Sequence, residues 1–336
     1  GIPLNKVADC VSKINTGGKY DSVAFKKSVG LNGVGLKAVN ALSGSFDVLS
    51  IRDRKIKNIY YSKGELVKNE NIVKTDKKNG TKIKFTPDAT IFDIYEYEIK
   101  FIEDLVDTYT YLNPELTIIL NNKKFQSKNG LLDLLINKTN GMLVRYPVIH
   151  LKDNDIEIAI THSNHYGEIT FSYVNGQHTT QGGTHLTGFK EALVRTCRDF
   201  YKKDFDPSDV RGSIVSAISI RIQNPIFESQ TKTKLGSNEM SPDGKSIRQF
   251  ISEFIREKLD NFLHKNSEVA ALLLERILQS ERERKDMAGI KKLATKRAKK
   301  ANLFNKKLRD CKLHYNDQKV EYNKRLMTTI FITEGD

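Results

Sequence analysis

At 336 residues the chain is long enough for two or three domains, and 55 Lys and Arg against 41 Asp and Glu give it a formal charge of +14. No apolar run approaches the roughly 20 residues of a membrane-spanning helix and no signal-peptide pattern opens the chain, so no membrane association is expected. Cys10, Cys197 and Cys311 are odd in number, far apart and form no C-x-x-C pair, which argues for a reducing, cytoplasmic setting and against a disulfide framework or structural zinc site.

In chain order, Gly1-Ile2-Pro3 has no initiator Met and reads as the interior of a longer protein. Residues 7–14 have helical spacing and end at Gly17-Gly18. Residues 17–43 then combine Gly17-Gly18-Lys19, the pair Lys26-Lys27 and Gly30-Leu31-Asn32-Gly33-Val34-Gly35, leading into a helical pattern of Leu36, Val39 and Leu42. Glycines let backbone N–H groups turn toward an anion, and a helix starting behind them adds the positive end of its dipole. A tight turn without a ligand fits the same residues.

Strands are expected at 46–51, 56–61 and 81–86, then a helix over 91–112 and a hairpin of 116–120 with 123–125 turning at Asn121-Asn122. A second unit begins near Tyr146-Pro147. Strands at 156–161 and 169–174 precede Gly182-Gly183-Thr184-His185, a helix to about Tyr201 and a strand at 214–222, most simply a β-α-β crossover. His162 and His165 fall in a Ser/Asn/Gly-rich stretch and read as turn residues. Beyond Pro225 a polar loop runs through Glu228-Ser229-Gln230-Thr231-Lys232. Ser246-Ile247-Arg248-Gln249 matches a capping box, and Ser267 can cap a further helix running into a basic stretch. Between Lys285 and Lys312 eleven Lys and Arg face two Asp, a track for a phosphate backbone or a solvated helix face. Residues 328–333 read as a last strand before Glu334-Gly335-Asp336.

These segments, in this order, resemble the B subunit of bacterial type IIA topoisomerases, DNA gyrase and topoisomerase IV, over essentially the whole chain. Gly1-Ile2-Pro3 resembles the tail of the family's nucleotide motif, residues 17–43 its ATP lid, Gly80-Thr81 its adenine-pocket Gly-Thr, Gly182 to His185 and Gln230-Thr231-Lys232 its transducer signatures, and Thr333 to Asp336 its first Toprim strand. The resemblance implies an α+β fold: a GHKL-type ATPase domain over 1–145, a ribosomal-S5-like transducer domain with basic helices over 146–312, and a linker with the start of a Toprim domain over 313–336.

It also implies roles. ATP would meet Gly1, Ile2, Pro3, Gly18, Lys19, the lid residues Gly30, Leu31, Asn32, Gly33, Val34, Gly35 and Leu36, and Thr81. Lys232, with Gln230 beside it, would reach the γ-phosphate from the second domain, where charge is redistributed during transfer; the alternative for Lys232 is a surface lysine in a polar loop. Arg52 corresponds to an arginine that aminocoumarin inhibitors contact, and Glu334 to the Toprim glutamate that assists DNA cleavage. Lys291, Lys292, Lys296, Arg297, Lys299 and Lys300 would touch DNA backbone. Phe25 replaces a common tyrosine and Asn32 a common histidine. The general-base Glu, the Mg2+-binding Asn and the adenine-reading Asp would precede Gly1, so these 336 residues alone are expected to hydrolyse ATP negligibly. Expected partners are double-stranded DNA, the topoisomerase's A subunit carrying the cleavage tyrosine, and a second copy of the B subunit. The stretch 228–232 and the basic run lean toward topoisomerase IV. Nucleotide-gated clamps of the mismatch-repair or chaperone kind are the alternative, but they lack a Toprim strand.

Overall fold

The computed structural model describes residues 2–16, 27, 33–303 and 312–328, and for 298–303 the backbone alone. The chain divides into two compact units, 1–280 and 281–336.

The first unit opens with helices α1 (Val7–Ser12) and α2 (Gly35–Ala41) and strands β1 (Ser43–Arg52), β2 (Lys55–Ser62), β3 (Glu65–Asn69), β4 (Val73–Lys74) and β5 (Gly80–Pro87). The strands form an antiparallel sheet in the order β3-β2-β1-β5, with β4 beside β2. Side chains alternate across a strand, so Phe46 and Val48 of β1 and Ile59 and Tyr61 of β2 share one face. That face closes a small core on Val7 and Val11 of α1.

The helix expected over 91–112 is shorter: α3 spans Ile99–Leu112. Asp88 explains its late start by holding a turn through Thr90 N to Oδ1 (3.0 Å) and Phe92 N to its carbonyl (2.9 Å). Tyr95, Tyr97 and Ile99 then alternate with acidic residues at period two, and Ile94 is 91% exposed. The hairpin of β6 (Ile118–Leu120) and β7 (Lys123–Phe125) forms as expected, with Asn121 and Asn122 both at positive φ.

Helix α4 (Leu131–Lys138) was not expected. Its run Leu131-Leu132-Asp133-Leu134-Leu135 is apolar on more than one side, and a distant residue secures its first turn: Glu157 Oε1 accepts Leu131 N at 2.7 Å.

The second sheet contains β8 (Ile149–Lys152), β9 (Ile156–His162), β10 (Ile169–Val174), β11 (Gln177–His178) and β12 (Ile214–Ile220), in the order β11-β10-β12-β9-β8. Between β10 and β12 run α5 (Thr184–Tyr201) and α6 (Pro207–Arg211). Strands β10 and β12 are parallel neighbours, Ile169 opposite Val215 through Val174 opposite Ile220, so the β-α-β crossover is present. The central strands are covered on both faces. Ile156, Ile158, Ile160, Ile214 and Ile218 pack into the core shared with α5, α7 (Ile247–Lys265) and the start of α8 (Ser267–Leu303), while Ala159, Val215 and Ala217 face α4. Each fully buried Ile contributes about 1.5–3 kcal/mol of burial.

His162 is not a turn residue. It ends β9 and is buried. The capping box at α7 is half made: Ser246 Oγ accepts Gln249 N at 3.2 Å, but the Gln249 amide turns to Glu253 Oε1 at 2.9 Å. Ser267 is the first residue of α8 rather than a cap before it. The second unit contains the remainder of α8 and α9 (Tyr322–Arg325). The last strand expected from Thr328 to Thr333, and with it Glu334, lies outside the described residues after Thr328.

Candidate functional site

Ile2 is held between two strands. Its N–H donates to Thr81 Oγ1 (3.3 Å) and its carbonyl accepts from Ser50 Oγ (2.7 Å). Ser50 and Thr81 are register partners in β1 and β5, so the sheet itself sets the spacing of the two hydroxyls. Ser50 escaped the reading of the sequence, although its signal is there: it shares the buried face of Phe46 and Val48, where a polar residue must find a partner. Arg52 ends β1, exposed and 3.6 Å from Asp53, at a hairpin turn where Asp53 and Arg54 both have positive φ. It stands two residues beyond Ser50 on the same strand.

Of the lid-like stretch, Gly33, Val34, Gly35 and Leu36 are described, together with Lys27; Gly18, Lys19, Gly30, Leu31 and Asn32 lie outside the described residues, as does Gly1. Gly33 has φ +56, and a Cβ there would meet the Lys37 ammonium at 3.0 Å. Lys37 is buried and donates to Thr16 O (3.0 Å), while Asn40 Nδ2 donates to Val11 O (3.0 Å). The Asn40 bond fixes α2 against α1, and the Lys37 bond ties it to the turn that follows α1. Among the described residues no side chain caps α2. Lys27 bonds to both carboxylate oxygens of Asp155, at 2.5 and 2.6 Å, in the turn between β8 and β9.

Gln230 and Lys232 sit at the end of a hairpin loop. Its stems meet through a Phe227–Leu235 bridge and through Glu228 N to Lys234 O (3.1 Å), reinforced by a Lys234–Glu228 ion pair at 2.9 Å. Lys232 N donates to Ser229 O (3.0 Å), and Lys232 itself is left-handed at φ +58. Neither the Lys232 ammonium nor the Gln230 amide bonds to another described side chain; Gln230 is exposed and Lys232 half-buried. The glycine pair at the start of α5 lies against this loop. Gln181 N donates to Thr233 O (2.9 Å) and Leu235 N to Gly182 O (3.0 Å). Gly183, at φ +136, approaches so closely that a Cβ would lie 2.4 Å from Leu235 O. The two transducer-like signatures, far apart in sequence, are therefore one structure. His185 behind them is buried and bonds through Nε2 to Thr179 Oγ1 (3.1 Å); burial lowers its pKa to about 4.

Lys291, Lys292, Lys296 and Arg297 are exposed on α8, as a phosphate track requires; Lys299 and Lys300 have backbone described but not side chains. Among the described residues no group of three or more His, Cys, Asp or Glu could hold a metal ion, and no helix is long and apolar enough to cross a membrane.

The fold has counterparts among solved structures. The ATP-binding domain of Francisella tularensis topoisomerase IV, in complex with a small-molecule inhibitor, superposes with a TM-score of 0.60 at 26% identity, covering 75% of this chain and 73% of that one. The 43K ATPase domain of Thermus thermophilus gyrase B, in complex with an aminocoumarin, gives 0.61 at 24% identity, covering 78% and 75%. The class is thus an α+β fold of the GHKL ATPase kind.

Residues 101–308 match the DNA gyrase B family. The chain belongs to that family, the B subunits of type IIA topoisomerases. It is 43% identical to the B subunit of DNA topoisomerase 4 from Borreliella burgdorferi over all of this chain and 54% of that protein. It is 29% identical to the B subunit of DNA gyrase from Thermotoga maritima over 96% of this chain and 52% of that protein. The chain spans about half the length of the curated relatives it matches.

Proposed function

We propose that the chain is the ATP-binding and transducer region of an ATP-hydrolysing DNA topoisomerase that passes one duplex through another. The observation that carries this reading is the Ile2 peptide, held at both its N–H and its carbonyl by the paired hydroxyls of Thr81 and Ser50. ATP would place its base near Ile2, Pro3 and Thr81 and its phosphates on the lid residues, Lys19 and the first-turn amides of α2. Lys232, with Gln230, would meet the γ-phosphate as negative charge shifts onto the leaving oxygen. Mg2+ would arrive with the nucleotide; the described residues supply no carboxylate cluster for it.

The domains would be an ATPase part over 1–145, a transducer part over 146–312 and the start of a Toprim domain over 313–336, with Glu334 assisting cleavage there. Arg52 would stand at the mouth of the pocket, where an aminocoumarin could reach it. Partners are duplex DNA, the A subunit that carries the cleavage tyrosine, and a second B subunit, in the cytoplasm. The higher similarity to a topoisomerase IV relative supports decatenation and relaxation over supercoiling.

The test is ATP-dependent decatenation by the full-length protein paired with its A subunit, run in parallel with a supercoiling assay. Decatenation without supercoiling is expected. ATP turnover with neither activity would favour a clamp and overturn the strand-passage reading, and supercoiling would move the assignment to gyrase.

A further inference from the structure

Lys232 is at the end of a loop, and a loop end is a poor platform for a group that must meet a phosphate to within a fraction of an ångström. The structure shows what steadies it. Thr184, the first residue of α5, donates its hydroxyl to the carbonyl of Ser237 at 2.6 Å. The Ser237 hydroxyl in turn accepts the Ile226 amide at 2.8 Å, and Ser237 N donates to Ile226 O at 3.2 Å. One threonine hydroxyl is thereby connected to both ends of the loop 226–237. Leu235, buried on the same stem, is fixed beside Gly183. Behind Thr184, the buried set Ser172, Thr179 and His185 anchors the start of α5 to β10, with Ser172 and Thr179 exchanging bonds of 2.8 and 2.9 Å.

We infer that Thr184 is a positioning residue for Lys232, its hydroxyl setting the base of the loop so that the ammonium is presented in one place. This rests on the reading of Lys232 as the γ-phosphate contact. Lys232 adds a reason of its own: a non-glycine residue at φ +58 occupies a costly conformation that persists only where its surroundings impose it. Losing the tie at Ser237 frees the stem five residues from Lys232, and the cost falls on the chemical step rather than on nucleotide affinity.

The test uses the full-length protein in complex with DNA and its cleavage partner, with steady-state ATP hydrolysis as the readout. Lys232→Met sets the reference and is expected to lower kcat by about 100-fold or more. Thr184→Val, which keeps the shape and removes the hydroxyl, is expected to lower kcat about tenfold with KM for ATP within about twofold. Thr184→Ser restores kcat to within about twofold. In the Lys232→Met background, Thr184→Val causes no further loss, because both act through one group. Should Thr184→Val not fold, Thr184→Ala, which also removes the hydroxyl bonded to the Ser237 carbonyl, serves in its place with the same pattern expected. Wild-type turnover in Thr184→Val beside an inactive Lys232→Met overturns the inference. So does equal loss in the Ser and Val variants, or additive loss in the double variant. Near-normal turnover in Lys232→Met overturns the underlying reading of Lys232 instead.

Discussion

Tyr146 and His162 share a buried hydrogen bond, 2.5 Å from the phenol oxygen to Nδ1. His162 Nε2 donates to Val210 O at 2.9 Å, so Nδ1 is the acceptor and the imidazole is neutral with its proton on Nε2. Burial, ahead of the carbonyl that opposes it and the Arg276 charge that adds to it, lowers the pKa of His162 to about 4.

A pH dependence follows from His162 and His185 together. Both are neutral in the fold with pKa values of about 4, whereas the unfolded chain takes up protons near 6.5. The unfolded state therefore binds more protons between those values, and stability falls as pH drops from about 6.5 to 4. Each histidine contributes a slope of about 1.4 kcal/mol per pH unit within that window and none below it. Urea denaturation at pH 7.5, 6 and 5 measures this, and His162→Gln should flatten the slope by about one proton. A stability constant across the window would contradict the neutral assignments.

Ser50 tests the wall of the proposed nucleotide site. Ser50→Ala leaves the Ile2 carbonyl facing a methyl group, which should cost about 1–2 kcal/mol of stability. In the full-length protein, fluorescence titration with an ATP analogue should show several-fold weaker binding. Unchanged affinity alongside lowered stability would make Ser50 a purely structural residue.

The Lys27–Asp155 pair is chelated but open, with side-chain exposures of 39% and 32%. Solvent screening therefore limits its coupling energy to about 1 kcal/mol or less. A double-mutant cycle of Lys27→Met and Asp155→Asn, read by denaturation at low and high salt, should give that small value and see it shrink with salt. A salt-insensitive coupling of several kcal/mol would refute the estimate.

If the exposed basic residues of α8 hold duplex DNA as proposed, they should act through charge alone. Replacing Lys291, Lys292, Lys296 and Arg297 with Gln should weaken binding to duplexes of any sequence about equally. The slope of log K against log salt should become shallower by about three to four, one step for each phosphate no longer neutralised. Weakening confined to one DNA sequence would indicate base readout instead.

Much of this architecture was legible because its signals are local. The hairpin at Asn121-Asn122, the isoleucine-rich run of β12 and the Ser246 cap each depend on a few consecutive residues. The misses came from distant partners. Helix α4 needs Glu157 to secure its first turn, and His162 is decided by Tyr146 and Val210, which no window around it contains. The loop bearing Gln230 and Lys232 was readable as polar, but its attachment to Gly183 and Leu235 is a matter of two backbones meeting, which leaves only a pair of glycines as its trace.

Helix α5 is a strut with a different attachment at each end. Its 18 residues span about 27 Å. At the near end Gly183 touches the loop of Lys232; at the far end the Tyr201 hydroxyl bonds to Ala270 O in the first turn of α8, at 2.6 Å. The loop of Lys232 and the start of α8 are thereby attached to opposite ends of one continuous helix. A tilt of α5 that began at the loop of Lys232 would reach the root of α8 through the Tyr201 hydroxyl.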